Sequence, residues 1–346
     1  MKHISYPSIE QFRNICSSIT KRSQFDGFDE NGEPIINYLA LKPTLKFSGT
    51  IKCHGTNAGI SYNYKDGIWA QSRENIITVE KDNAGFAFFA KTKEKTFSKF
   101  FQDIIIKNNL SFLDDNLTLT IFGEWVGKGI QKGVAIANLE KSFFIFGVKV
   151  SKEDDEKFIS YWLDSSSLKS SEDNIYNVED YKTYSIDIDF NMPQLVQNKL
   201  IEMTLEVENE CPIAAEFGYK GVGEGIVFTS EYKGVVYRFK SKGSLHSVSH
   251  VKVLNSVDVE KLNSISEFVD YAVTGNRFNQ GIEKVFGEET PDMKKIGELM
   301  KWMMNDILKE ETDTLSKNSL EPKEIGKYVS NKTRQMFFEL LDKQLV

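Results

Sequence analysis

The sequence predicts an α+β fold, with a body of antiparallel sheets and flanking helices followed by a small all-helical C-terminal domain. Up to about Leu254, short segments alternate apolar and polar residues, which is the pattern of half-buried strands. Beyond Leu254, apolar residues recur every three or four positions, which is the spacing of amphipathic helices. The 346 residues are enough for two domains with buried cores. We place these domains at residues 1–250 and 251–346.

The individual elements follow from the same patterns. Strands are predicted at residues 45–52, 60–64, 68–70, 117–122, 143–150 and 159–163, and a hairpin over residues 226–242. One amphipathic helix with a broken middle is predicted between Phe86 and Ile105, where Thr92 and Thr96 interrupt the apolar spacing. In the C-terminal domain, helices are predicted over residues 293–308 and 322–343. A Met-rich stripe on the first of these is expected to face the core.

Composition favours a protein of the cytoplasm. The three cysteines are Cys16, Cys53 and Cys211, an odd number without the spacing of a zinc site, so neither a disulfide framework nor a structural zinc is supported. The first twelve residues lack the apolar core of a signal peptide. No run of about 18 apolar residues predicts a membrane span.

The negative charge of the chain is concentrated in one segment. The net charge is −7, and residues 151–210 hold fifteen acidic residues against five lysines, so the rest of the chain is slightly basic. A locally basic face that binds a polyanion is compatible with this distribution, and so is a protein with an ordinary charged surface. We expect the acidic segment to lie away from any nucleic-acid face, because its charge would repel phosphates.

Lys52 is the first candidate for chemistry, because it stands where the predicted strand 45–52 ends and the chain must turn. A lysine amine becomes a nucleophile when it loses its proton, which neighbouring cations promote. Lys240 and Lys242 lie two residues apart on a predicted strand and share a face with Arg238. If that strand lies near Lys52, its lysines would depress the Lys52 pKa and hold a triphosphate.

Each of these residues also has an ordinary structural interpretation. A lysine at the end of a strand is usually an exposed surface residue, and a basic strand face is usually a solvated edge. Glu124 follows an apolar strand and Glu224 lies between two glycines, so either is compatible with a surface or turn position. His54 could simply cap the turn after the strand. Taken singly, none of these residues defines a site.

The order of the candidates is more specific than any one of them. The candidates follow one another in the same order as the motifs of covalent nucleotidyltransferases: Lys52, Arg73, Glu124, Phe146, Glu224, Lys240 and Lys242. The chain closely resembles the phage RNA ligase 2 family. The motifs that carry the resemblance are Lys52-Cys53-His54-Gly55-Thr56-Asn57 and residues 71–75, 122–132, 143–146, 224–227 and 238–242. Residues 271–308 are similar to the helical C-terminal domain of those ligases.

The resemblance implies an ATP-dependent RNA ligase. Lys52 would attack the α-phosphate of ATP, release pyrophosphate and hold AMP, which then passes to an RNA 5′-phosphate before a 3′-hydroxyl displaces it. The residues implied for phosphates and sealing are Lys240, Lys242, His54 and Asn57. Those implied for adenosine are Phe146 at the adenine and Glu124 and Arg73 at the ribose. Glu224 would hold Mg²⁺ or Mn²⁺.

The substrate implied is RNA with 3′-hydroxyl and 5′-phosphate ends, such as nicks in duplex or bridged RNA, acted on by a monomer in the cytoplasm, or in the host cytoplasm if a phage encodes it. One alternative is a DNA ligase or a capping-type nucleotidyltransferase, which His54 and the C-terminal helices disfavour. The other is a non-catalytic RNA-binding relative, which the complete set of charged motif residues disfavours.

Overall fold

The computed structural model describes residues 1–111, 113–154, 157–243, 245, 259–287 and 289–344. By packing, the chain divides into two compact units. The first comprises residues 1–15, 45–188 and 199–254, and the second residues 16–44, 189–198 and 255–346. The second unit thus contains two segments that the division at residue 250 assigns to the body. The two predicted domains, residues 1–250 and 251–346, stay a prediction.

The strands, in chain order, are β1 (Phe25–Phe28), β2 (Pro34–Ile36), β3 (Thr44–Ile51), β4 (Thr56–Asn63), β5 (Gly67–Ser72), β6 (Ile76–Ile77), β7 (Leu117–Val126), β8 (Ser142–Asp154), β9 (Lys157–Leu163), β10 (Ile175–Asn177), β11 (Tyr184–Asp189), β12 (Gly225–Tyr232) and β13 (Val235–Lys242). The α-helices are α1 (Phe12–Gln24), α2 (Phe86–Thr92), α3 (Glu94–Lys107), α4 (Gln197–Asn209), α5 (Pro212–Glu216), α6 (Val259–Ala272), α7 (Gly275–Phe286), α8 (Ile296–Glu310), α9 (Thr312–Lys317) and α10 (Pro322–Gln344). The predicted α+β class, with antiparallel sheets and a helical C-terminal region, is confirmed.

A seven-stranded sheet forms the larger layer of the first unit. Its order is β10-β8-β7-β4-β5-β6, with β9 paired to β8, and all pairs are antiparallel except β10 with β8. The apolar side chains of one face, such as Ile60, Leu119 and Val148, pack against α2 and α3. These two helices meet at Lys93, so the helix predicted with a broken middle is in fact interrupted there. The opposite face of this sheet lines a cavity.

A four-stranded sheet, ordered β11-β3-β12-β13, forms the second layer of the same unit, and β12 is antiparallel to both β3 and β13. In β13, Tyr237, Phe239 and Ser241 are buried while the residues between them are half-buried. The alternation predicted for this strand is therefore confirmed. The pairing of β3 with β12 and of β12 with β13 brings Lys52, just after β3, to the same end of the sheet as Lys242.

One strand of this unit differs from the sequence expectation. Strand β7 continues to Val126, so Glu124 lies within a strand and not after one. The acidic segment 151–210 holds strands β9 to β11 and helix α4, of which the sequence predicts β9. Its Ser-rich part is anchored by Leu168, which is buried in the core, and by Asp173, which pairs with Lys93 at 2.9 Å.

The second unit has a helical core. Its buried residues come mainly from α6, α7, α8 and α10, and within the stripe of α8 the buried members are Leu299, Met303 and Ile307. Met293, which precedes α8, is exposed, so it does not belong to the core as the stripe predicted. None of the helices in the described parts of the chain is long and apolar enough to cross a membrane.

Candidate active site

A cavity of about 740 Å³ lies in the first unit, between the free faces of its two sheets. Seven of the residues singled out in the sequence line it: Lys52, Asn57, Arg73, Glu124, Phe146, Lys240 and Lys242. The other two are His54 and Glu224. Glu224 contacts Lys52 of this set, and His54 contacts Glu224. Residues spread over almost two hundred positions of sequence thus come together in one pocket.

Glu224 is the electrostatic centre of the site. Its side chain is only 2% exposed, and one carboxylate oxygen lies 2.8 Å from Lys52 Nζ and 3.2 Å from His54 Nδ1, while the other contacts Lys242 Nζ. Burial alone would raise the pKa of Glu224, but the His54 hydrogen bond, the charge of Lys52 and the contact with Lys242 outweigh it and lower the pKa to about 2. The carboxylate therefore stays charged and neutralises the two lysines.

Lys52, Lys240 and Lys242 line the same pocket. The backbone N–H of Lys52 donates to Gly225 O at 2.9 Å, which fixes the end of β3 beside the start of β12. Burial and the charges of Lys242 and Lys52 lower the pKa of Lys240. The nearest charged group to Lys52 is the carboxylate of Glu224 and not another cation, and the effect expected of Lys240 and Lys242 on Lys52 stays a prediction.

Glu124 lies on β7 at the inner side of the pocket. It accepts a hydrogen bond from the backbone N–H of Gly55 at 3.0 Å, which ties the turn after Lys52 to the large sheet. Burial raises the pKa of Glu124 to about 7, although the charge of Lys52 opposes this. A Cβ at Gly55 would lie 2.2 Å from the carbonyl oxygen of Trp125, so only glycine fits between the turn and β7.

Phe146 projects into the pocket because β8 is irregular at that point. In the ladder with β7, Phe122 pairs with Gly147 and the next residue, Gly123, pairs with Ile145, which leaves Phe146 as the extra residue of a bulge. A bulge of this kind re-aims a side chain. No local pattern in the alternating apolar run predicts it.

Arg73 and Asn57 occupy the other side of the pocket. Asn57 lies on β4, directly opposite Glu124 in the ladder. Arg73 follows β5 and is exposed, with Nε 3.5 Å from Glu74. It lines the pocket from this exposed position.

The pocket has an aromatic wall that no sequence motif indicates. Residues 4–10 run from the large sheet, where Ile4 N–H donates to Gln71 at 3.1 Å, to β13, where Glu10 forms backbone hydrogen bonds with Arg238 and Lys240. On the way, the Tyr6 ring meets Phe146 edge-on at 4.9 Å.

Arg238 completes this wall from β13. Its guanidinium lies 4.0 Å from the centre of the Trp162 ring, a cation–π contact. Burial raises the pKa of Tyr6 and lowers that of Arg238. Tyr6 lies far from every motif and Trp162 lies within the acidic segment, so neither carries a local signal of a site.

The acidic segment also reaches the pocket. Asp164, Ser165, Val178 and Glu179 line it beside Phe146 and Trp162. The expectation that the segment lies away from an RNA-binding face stays a prediction, but part of the segment belongs to the candidate site.

Among the described residues, no group of three or more His, Cys, Asp or Glu side chains is arranged to hold a metal ion. Glu224 supplies carboxylate oxygens beside the lysine cluster, and oxygen ligands are what Mg²⁺ and Mn²⁺ take.

These side chains together are typical of a pocket that binds a nucleotide, with cations for its phosphates and an aromatic ring for its base. The sequence model of the RNA ligase family matches residues 45–242, more than half of the chain. The chain therefore belongs to the RNA ligase family. The predicted RNA ligase identity is confirmed at this level, whereas membership of the phage RNA ligase 2 branch stays a prediction.

Solved structures that are similar to this chain include RNA ligases of Naegleria gruberi. A mutant with AMP and Mn is 16% identical with a TM-score of 0.41, a mutant with ATP and Mn 15% identical with a TM-score of 0.40, and a form with PPi 18% identical with a TM-score of 0.40. Each match covers 70% of this chain and 57% of the Naegleria chain. No curated protein is a match for the sequence.

Proposed function

We propose that this protein is an ATP-dependent RNA ligase that joins a 3′-hydroxyl to a 5′-phosphate through an AMP held covalently on Lys52. The observation that carries the proposal is the convergence, in one cavity, of a lysine nucleophile candidate with two further lysines and a buried carboxylate. Family membership supplies the class of reaction.

In the first step, the amine of Lys52 attacks the α-phosphate of ATP, a nitrogen–phosphorus bond forms and pyrophosphate leaves. Lys240 and Lys242 lie on β13, which is separated from Lys52 by β12, and line the same pocket. They bind the phosphates, so that charge developing in the transition state meets fixed cations. Such catalysis depends on position and charge more than on covalent chemistry by the protein.

The base and sugar are held on the large sheet. Phe146 presents its ring to the adenine, while Glu124 and Arg73 contact the ribose hydroxyls. Because Glu124 also holds the Gly55 N–H, it links the ribose to the turn that carries the nucleophile.

Glu224 would hold the divalent metal, together with phosphate oxygens and water. The metal would supply positive charge at the reacting phosphate when bound. Because Glu224 contacts both Lys52 and Lys242, a cation there would change the pairing of both lysines.

In the later steps, AMP passes from Lys52 to the RNA 5′-phosphate, and the 3′-hydroxyl of the adjoining strand then displaces AMP. His54 and Asn57 flank the nucleophile turn and act on the phosphates of these steps. RNA with a nick in a duplex presents both the 5′-phosphate and the 3′-hydroxyl that these steps need.

Sealing of matched nicked duplexes, made of RNA or of DNA and given ATP or GTP, tests the proposal. We expect sealing of the RNA nick with ATP, and none by Lys52→Ala. Efficient sealing of DNA, or transfer of GMP, would favour a DNA ligase or capping-type enzyme. Tight RNA binding that Lys52→Ala leaves unchanged, without sealing by the wild type, would favour a non-catalytic RNA-binding protein.

A further inference from the structure

The order of strands in the large sheet fixes the order of subsites in the pocket. From one edge, the lining side chains are Arg73 after β5, Asn57 on β4, Glu124 on β7 and Phe146 on β8. With the ribose at Arg73 and Glu124 and the adenine at Phe146, the far edge of the base points past β8. The elements beyond β8 are β9 and β10, with the loops that adjoin them.

These elements place carboxylates at that edge of the pocket. Asp164 already binds Lys107 at 2.8 Å and accepts a hydrogen bond from Ser166 N–H at 3.0 Å. Glu179 lines the pocket from the turn after β10, and its backbone N–H donates to Asn177 Oδ1 at 3.0 Å. The carboxylate of Glu179 makes no hydrogen bond or ion pair with any residue that the structure describes.

The chemistry of this carboxylate discriminates between purines. A carboxylate only accepts hydrogen bonds. Adenine carries an amino donor on its far edge, where guanine and hypoxanthine carry an oxygen acceptor. Partial burial raises the pKa of Glu179, and the nearby Asp164 and Asp180 raise it further, so a donor from the ligand would relieve an unfavourable environment.

We propose that Glu179 recognises the exocyclic amino group of adenine, and that it thereby makes the pocket select ATP over purine nucleotides with oxygen at that position. This assignment rests on the proposed function, because it takes the orientation of the nucleotide from the roles of Arg73, Glu124 and Phe146. It also gives the acidic segment a function within the site.

The test compares three nucleotides in two measurements. ATP, inosine triphosphate and purine riboside triphosphate, which lacks the amino group, are assayed for covalent labelling of the protein and for equilibrium binding. The variants are Glu179→Ala and Glu179→Gln. The matched control is Asp180→Asn, in the same turn, whose carboxylate pairs with Lys169 at 2.6 Å and does not line the pocket.

We expect the wild type to use ATP about tenfold or more better than purine riboside triphosphate, which is the effect of one charge-assisted hydrogen bond. Glu179→Ala should lower the use of ATP by about that factor and leave purine riboside triphosphate unchanged. Glu179→Gln, whose amide can donate to an oxygen, should raise the use of inosine triphosphate about tenfold. Asp180→Asn should keep the wild-type ratios.

Equal losses for ATP and purine riboside triphosphate in Glu179→Ala, or no loss for either, would overturn the assignment. Failure of the proposed function gives a different result. If no nucleotide labels the wild type but binding still discriminates through Glu179, the catalysis is wrong and the recognition stands. If labelling occurs without discrimination, the recognition is wrong and the catalysis stands.

Discussion

Replacing Glu124 with glutamine should stabilise the protein above neutral pH and leave its stability almost unchanged in acid. Burial raises the pKa of this carboxyl from 4.5 to about 7 in the folded protein. A raised pKa means that the folded state keeps its proton at a pH where the unfolded state has lost it. The free energy of unfolding therefore falls as the pH rises from 4.5 to 7, and above pH 7 the whole penalty is present.

The size of the effect follows from the shift. A difference of about 2.5 pKa units, from 4.5 to about 7, corresponds to at most about 3 kcal/mol at pH 8, at 1.36 kcal/mol per unit. The glutamine oxygen can still accept the Gly55 N–H, but the new amide N–H₂ must find a partner at the pocket wall. We therefore expect a gain of about 1 to 2 kcal/mol at pH 8 and close to zero at pH 4.5.

Urea denaturation of the wild type and Glu124→Gln at both pH values measures this gain. Glu140→Gln is the control, because Glu140 is exposed and pairs with Lys128 at the surface, where ion pairs contribute little. An equal change in stability at both pH values, or a loss of stability at pH 8, would show that the raised pKa of Glu124 does not destabilise the folded protein. A weaker affinity for ATP should accompany the gain, since the ribose loses a charged acceptor.

Two further substitutions test the lysine cluster and the nucleophile turn by the same denaturation assay. Glu224→Gln should lower the free energy of unfolding by about 3 kcal/mol at pH 7. The pKa of Glu224 is about 2 in the folded protein against an ordinary value of 4.5, so its charge stabilises the fold above pH 4.5, and this contribution is lost as the pH falls through 2. Gly55→Ala should cost about 2 kcal/mol or more, since a Cβ there meets a carbonyl oxygen at 2.2 Å. The control is Gly297→Ala in α8, where a Cβ meets nothing within 4 Å and the change should be neutral or stabilising.

For Glu224→Gln, a loss of stability that is as large at pH 2 as at pH 7 would contradict the role of its charge. For Gly55→Ala, a stability equal to that of Gly297→Ala would show that the turn has room to move and that its packing does not fix the nucleophile.

The strand patterns predicted much of the body because side-chain alternation is a local property. The shared face of Lys240 and Lys242 follows from a period of two, and β13 has it. The pairing that brings Lys52 to Lys242 runs through β12 and depends on contacts distant in sequence. Only the resemblance of the ordered motifs pointed to it.

Other parts of the site had no signal in the sequence. The bulge that aims Phe146 depends on how β8 pairs with β7, and a Cβ at Gly123 would meet the Phe143 ring at 2.5 Å. Tyr6 reaches the pocket because residues 4–10 cross from one sheet to the other. Glu179 is one of fifteen acidic residues in segment 151–210, and no local pattern sets it apart. Each of these positions is decided by tertiary packing.

Mass spectrometry of the protein after incubation with ATP and magnesium tests whether Lys52 carries AMP. We expect one AMP adduct on the intact wild-type chain, located on Lys52 by peptide mapping and released by pyrophosphate. We expect none on Lys52→Arg, which keeps the positive charge beside Glu224. An unmodified wild type, or an adduct that persists in Lys52→Arg or lies on another residue, would contradict this expectation.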